Sequence, residues 1–180
     1  MIRPSIHIDP VGPVATARHY IRDLVYGAND GIITTFAVVA GVAGAQLDAR
    51  IVLILGFANL LGDGFSMGAS NFLSIRSDEA VRRSSGLAML EPFPGRHSFA
   101  TFAAFVVAGC VPLLSYILIG ESNPFLAAVL LTFATLFVVG AARALVTGVR
   151  WWWSGLEMLV VGSVAAGVAY GVGAFVESLT

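Results

Sequence analysis

Asn59, Asp63, Met67 and Asn71 recur every fourth residue inside the apolar run IVLILGFANLLGDGFSMGASNFLS, residues 51–74. In a helix that spacing puts all four on one face, with Ser66, Ser70 and Ser74 beside them. At a rise of about 1.5 Å per residue, Asp63 stands roughly 18 Å from Ile51, near the centre of a hydrocarbon slab about 30 Å thick. A lone carboxylate is costly there. It either carries its proton or sits ionised beside a bound cation or a water-filled path. A carboxylate that releases its proton as a metal arrives exchanges charge at modest cost, which is the chemistry of proton-coupled cation transport. Oxygen donors from Asp63, Asn59 and the serines suit Mn²⁺ or Fe²⁺, and the Met67 thioether tilts the set away from Mg²⁺ and Ca²⁺. No His/Cys cluster favours zinc or copper. A plainer reading makes the stripe polar glue between helices, although such glue usually dispenses with an unpaired aspartate.

Other candidates lie elsewhere in the chain. Asp30 shares a helical face with Thr34, Ala37, Gly41 and Gly44, acidic and hydroxylated at one end and small at the other. Small residues let a second backbone approach closely, so this face reads as a helix–helix interface beside a carboxylate. The alternative for Asp30 is an interfacial residue reaching water. Glu157 begins another apolar run and either lines a path with Thr34, Asn71, Ser66 and Ser70 or snorkels to water. Met89, Glu91 and His97 fall in a Pro-Gly-containing connection as scattered single donors and read as surface residues. Cys110, the one cysteine, reads as a packing residue in an apolar span.

Positioning these groups requires a membrane bundle. The 180 residues are 57% hydrophobic and 12% charged, too few charges for a soluble domain of this size. Apolar runs at about 24–45, 51–74, 98–120, 124–146 and 151–176 predict an all-α bundle of five transmembrane helices. Residues 1–13 read as a flexible N-terminal segment, and 14–180 as a single five-span membrane domain. The stretch from Val14 to Tyr26 is either an amphipathic interfacial helix or the extended start of the first span. After the second span, Asp78 and Glu79 stand four residues before Arg82 and Arg83, which predicts a helical extension ending near Gly86.

All the basic residues are arginine. A cytoplasmic N-terminus puts Arg3, Arg18, Arg22, Arg76, Arg82, Arg83, Arg96, Arg143 and Arg150 on the cytoplasmic side and only Arg50 outside, which predicts the C-terminus outside. Trp151, Trp152 and Trp153 read as an interfacial anchor, Pro112 as a kink in the third span, and Gly167 with Gly171 as a close-packing pair. No apolar signal core is visible near the N-terminus, and nothing supports nucleic-acid binding. The expected location is a multi-pass position in the cell (inner) membrane if the source is bacterial.

The segments YGANDGIITTFAVVAGVAGA, ANLLGDGFSMGASNFLSIRSDE, CVPLLSY and LVVGSVAAGVAYGVG resemble, in the same order, the vacuolar iron transporter family. The resemblance covers Val14 to Val176. It implies a five-span homodimer moving Fe²⁺ or Mn²⁺ out of the cytosol by proton antiport, with no permanently bound cofactor and with lipid, metal ions and protons as partners. Asp30 matches the family's acidic residue in the first span, and Met67 the methionine of its SMG motif. Two departures stand out. Asn59 occupies the place of the family's glutamate, with Asp63 one turn on as its replacement, and only Ile75 to His97 fills the gap where members with a cytosolic metal-binding domain carry a long Glu- and Met-rich insert.

Two other classes compete with a transporter, which is not an enzyme. One is a non-transporting structural or regulatory membrane subunit, in which the stripe serves assembly alone. The other is an intramembrane aspartyl protease built on Asp30 and Asp63, two acids sharing a proton, though five short spans do not suit it.

Overall fold

Prolines open three of the helices and fix where the chain turns into the bundle. Pro13, Pro94 and Pro124 each occupy the first helical turn, where a missing N–H costs nothing. The computed structural model describes residues 5–118 and 123–179, and the elements are α1 (Pro13–Gly44), α2 (Ala49–Ser84), α3 (Pro94–Gly109), α4 (Val111–Leu118), α5 (Pro124–Thr147) and α6 (Trp151–Glu177). Arg3, positions 119 and 120 of the third expected span, and Glu121 of the following linker lie outside the described residues.

Among the described residues, five helices are long and apolar enough to cross a membrane, with α3 and α4 forming one of them. The residues from Val14 to Tyr26 continue into the first span as one 32-residue helix, so the extended-start reading holds and no separate interfacial helix forms. The second helix runs through the Asp78–Arg83 charge pattern to Ser84, and Gly86 then takes a left-handed φ of 69°. Asp48 caps its start, accepting a 2.7 Å hydrogen bond from the Arg50 amide. The third span breaks at Cys110, two residues before Pro112, whose absent N–H interrupts the helical ladder.

Helix α1 is central and packs against every other helix. Two glycines bring it onto α3, because a Cβ on Gly27 or Gly31 would collide with the carbonyl oxygens of Thr101 and Phe105. From the other side, a Cβ on Gly109 would stand 2.7 Å from the Gly31 oxygen. At the opposite end of α1, Gly44 abuts the Tyr170 carbonyl, and Gly173 of α6 abuts that of Gly41. The small face predicted for α1 therefore does receive a neighbouring backbone. The pair expected to do the same in α6 does not: Gly167 and Gly171 are exposed with open space around them, and Gly162 and Gly173 make the close approaches instead.

The core lies along α1. Phe36, Val39 and Val42 pack with Val52, Leu113 and Ala128, and Ile32 packs with Ala108, Leu136 and Met158. Large apolar side chains cover the outer surface, and Trp151, Trp152 and Trp153 stand exposed at the start of α6, as an interfacial anchor requires. Residues preceding α1 lie against the connection between α2 and α3, with the Ile6 amide donating to the Met89 carbonyl at 3.0 Å.

Candidate functional site

The stripe on α2 splits into an uncovered and a covered part. Asp63, Ser66 and Ser70 are exposed, and Asn59, Met67 and Asn71 are half-buried toward the bundle. Asp30, half-buried on α1, lies within electrostatic reach of Asp63. Among the described residues neither carboxylate has a hydrogen bond or an ion pair to a cationic side chain. Thr34 sits one turn beyond Asp30 and donates its hydroxyl to the Asp30 carbonyl at 2.8 Å, leaving its lone pairs free. The buried Asn59 Nδ2 and Asn29 Oδ1 also have no hydrogen-bond partner.

A cleft of about 480 Å³ between α1 and α2 is lined by Arg22, Asp23, Tyr26, Ser66, Met67, Ser70, Asn71 and Ser74. It joins four residues of the predicted set, Ser66, Met67, Ser70 and Asn71, to Asp23, which the sequence did not single out as a site residue. Asp23 is the buried acid of α1, only 3% exposed. Its Oδ1 accepts 2.8 Å from Asn71 Nδ2, which also reaches Thr101 Oγ1 at 2.8 Å, and its Oδ2 accepts 2.5 Å from His97 Nδ1.

Glu157 lies apart from this cleft. It pairs with Arg143 of α5, whose Nε donates 2.9 Å to Ser154 Oγ, and Ser154 in turn donates 2.7 Å to the Gly140 carbonyl. The charge of Glu157 thus has a local partner, unlike those of Asp30 and Asp63.

The connection between α2 and α3 is more organised than its sequence suggests. Glu79, on the extension of α2, accepts the amides of Leu90 and Glu91 at 2.9 and 2.8 Å. Arg82 clasps the Ala88 carbonyl with two hydrogen bonds of 3.0 and 2.9 Å. Held this way, Glu91 faces His7, His19 and His97, all the histidines of the chain. The expectation that no His cluster exists is therefore corrected, and Glu91 and His97 are not scattered surface donors. Met89 contributes its carbonyl, which accepts from Ile6 N and Ser5 Oγ. No periodicity could reveal this cluster, because its members come from the N-terminal segment, α1, the connection and α3. Nearby Asp9, on the surface, is held below the ordinary carboxylate range chiefly by the hydrogen bond from His7, against desolvation, with the Arg96 charge a lesser contribution in the same direction as His7.

The chain is similar in sequence to known proteins along most of its length. A profile described as VIT family aligns with residues 21–89 and 81–174. A vacuolar iron transporter 2 of Oryza sativa subsp. japonica is 28% identical, over 91% of this chain and 90% of the relative. A vacuolar iron transporter 1 of Arabidopsis thaliana is 25% identical over 86% and 85%. A vacuolar iron transporter of Toxoplasma gondii is 26% identical over 90% and 76%. With the family profile spread over both halves of a five-span helical bundle, the chain belongs to the VIT family.

Proposed function

We propose that this chain transports a divalent transition metal, Fe²⁺ or Mn²⁺, across a membrane and out of the cytosol, in exchange for protons and as a homodimer. The observation that carries the reading is the pair of acids Asp30 and Asp63, on neighbouring helices, in mutual reach and without a cationic partner among the described residues. Two carboxylates within apolar helices need either protons or a metal, and exchanging one for the other provides antiport. Asn59, Met67 and Thr34 supply further donors beside them, and Ser66, Ser70 and Asn71 continue the polar surface along the cleft. Asp63 lies on a face of α2 that the rest of the chain leaves open, and a second copy set against that face would take the carboxylate out of lipid. The names of the relatives support iron as cargo. The arginine distribution supports a cytosolic N-terminus, with residues 14–180 acting as one membrane unit.

Purified protein in proteoliposomes is expected to carry Fe²⁺ or Mn²⁺ and to move protons the opposite way, read by a pH dye inside the vesicles. Absence of flux in the parent protein would favour a purely structural subunit. Cleavage of a membrane peptide that is lost on replacing Asp30 or Asp63 would favour a protease.

A further inference from the structure

Among the described residues, the most concentrated set of metal donors lies outside that path, at the end of the bundle where α1 and α3 begin and α2 ends. Glu91 Oε2 stands 3.5 Å from His7 Nδ1, 3.4 Å from His19 Nε2 and 3.1 Å from His97 Nε2. The donor atoms of His7, His19 and Glu91 all lie within 4.8 Å of one another. Ligands at about 2.0–2.1 Å from one metal are separated by roughly 3.4 Å along the edges of a tetrahedron, close to the three distances to Glu91, while His97 stands outside the 4.8 Å group and joins it through Glu91. One carboxylate oxygen offers two lone pairs and cannot accept from three imidazole N–H groups, and His7 Nδ1 has a second neighbour in the Leu90 carbonyl at 3.2 Å. His97 shows the shortfall directly. Its side chain is 8% exposed, and although Nε2 is 3.1 Å from Glu91, it is off the line of a hydrogen bond and has no hydrogen-bond partner.

The surroundings hold the rings as metal-binding histidines are held. His97 places Nδ1 on Asp23 at 2.5 Å, which orients the ring and leaves Nε2 without a hydrogen bond beside Glu91. His7 stands with Nε2 3.3 Å from Asp9 Oδ1 and with Nδ1 between the Leu90 carbonyl at 3.2 Å and Glu91 Oε2 at 3.5 Å, so a metal bound through Nδ1 would displace the Leu90 contact. Glu91 directs Oε1 to the Phe93 amide at 3.2 Å, and its own amide is anchored by Glu79. We infer that His7, His19, His97 and Glu91 form a metal site for a borderline divalent transition ion, oriented by Asp23 and Asp9. Three imidazoles and a carboxylate exclude Ca²⁺ and Mg²⁺ as preferred occupants. The site is joined to the cleft, because Asp23 bonds His97 on one side and Asn71 on the other. Its use as a loading station for transport rests on the proposed function, and metal binding itself does not.

The test uses the full chain in detergent, stripped with chelator and titrated with Co²⁺ alone, with the visible spectrum of the ion as the signal. The Asp30→Asn/Asp63→Asn protein, with the path acids removed, is expected to bind one Co²⁺ per chain with nitrogen-ligand bands. His7→Gln/His19→Gln should abolish that signal, and Asp23→Asn should weaken the affinity 10- to 100-fold. Unchanged Co²⁺ binding in His7→Gln/His19→Gln, or no binding in Asp30→Asn/Asp63→Asn, overturns the site. So does a loss of thermal stability in the histidine variants without any change in binding, which would mark a structural network. The transport reading fails separately, if the parent binds Co²⁺ but carries no Fe²⁺ or Mn²⁺ in vesicles.

Discussion

Asn71 Nδ2 donates 2.8 Å to Asp23 Oδ1, and this one hydrogen bond ties the polar stripe of α2 to the buried acid of α1. The amide shares its donor group with Thr101 Oγ1, so a residue of each of the three helices meets at one nitrogen. Replacing Asn71 by Leu leaves Asp23 Oδ1 facing an apolar side chain. A loss of about 1–3 kcal/mol is expected for an unsatisfied buried acceptor, read as a lower thermal midpoint in detergent. Asn71→Asp should be worse, because it sets two carboxylates against each other.

Substitutions of Asp63 and Asp30 are expected to separate function from stability. Asp63 is exposed and makes no hydrogen bond among the described residues. Asp63→Asn is therefore expected to change stability by less than about 0.5 kcal/mol while abolishing metal flux. Asp30→Asn should likewise stop flux, and size-exclusion in detergent should show the same oligomer as the parent for both. Undiminished flux in both variants would remove them from the path.

Met67 lines the cleft and is half-buried. Met67→Leu keeps the volume and removes the sulfur, at a stability cost under about 1.5 kcal/mol. If the thioether contributes to selection, competition assays should show a smaller preference for Fe²⁺ or Mn²⁺ over Mg²⁺ in this variant.

Glycines of α6 offer an internal contrast. Gly173→Ala drives a methyl into the Gly41 carbonyl and should cost about 1–3 kcal/mol, as overpacking does. Gly167→Ala meets open space and should be neutral or raise stability by up to about 1 kcal/mol, since alanine is the better helix former. Thermal melts of the two variants in the same detergent compare them directly.

The Arg143–Glu157 pair invites a double-mutant cycle. Arg143 is about a quarter exposed at its side chain and Glu157 more than half, so solvent screening limits the pair to about 1 kcal/mol or less. Glu157→Gln should leave flux largely intact if the carboxylate serves only Arg143. A full loss of flux would return Glu157 to the path.

Much of the architecture is written locally. Apolar runs long enough to cross a hydrocarbon slab determine five helices wherever they fall, and a four-residue spacing places Asn59, Asp63, Met67 and Asn71 on one side of α2 before any packing is known. The solvated end of α2 was legible for the same reason, since Asp78, Glu79, Arg82 and Arg83 repeat at helical distance. What tertiary structure alone decided are relationships between distant segments. Periodicity makes Gly167 and Gly171 equivalent to any small pair, and only the crossing of α6 over α1 selects Gly173 in their place. Asp23 looked interfacial from its arginine neighbours, yet the close approach of α3 at Gly27 encloses it with His97 and Asn71. His7, His19 and His97 carry no common spacing, and the fold brings them to Glu91 because Glu79 pins the connection while Ile6 pairs with Met89. Helical periodicity reports which side chains share a face, and a site assembled from four segments depends on backbone approach, which the order of residues does not encode locally.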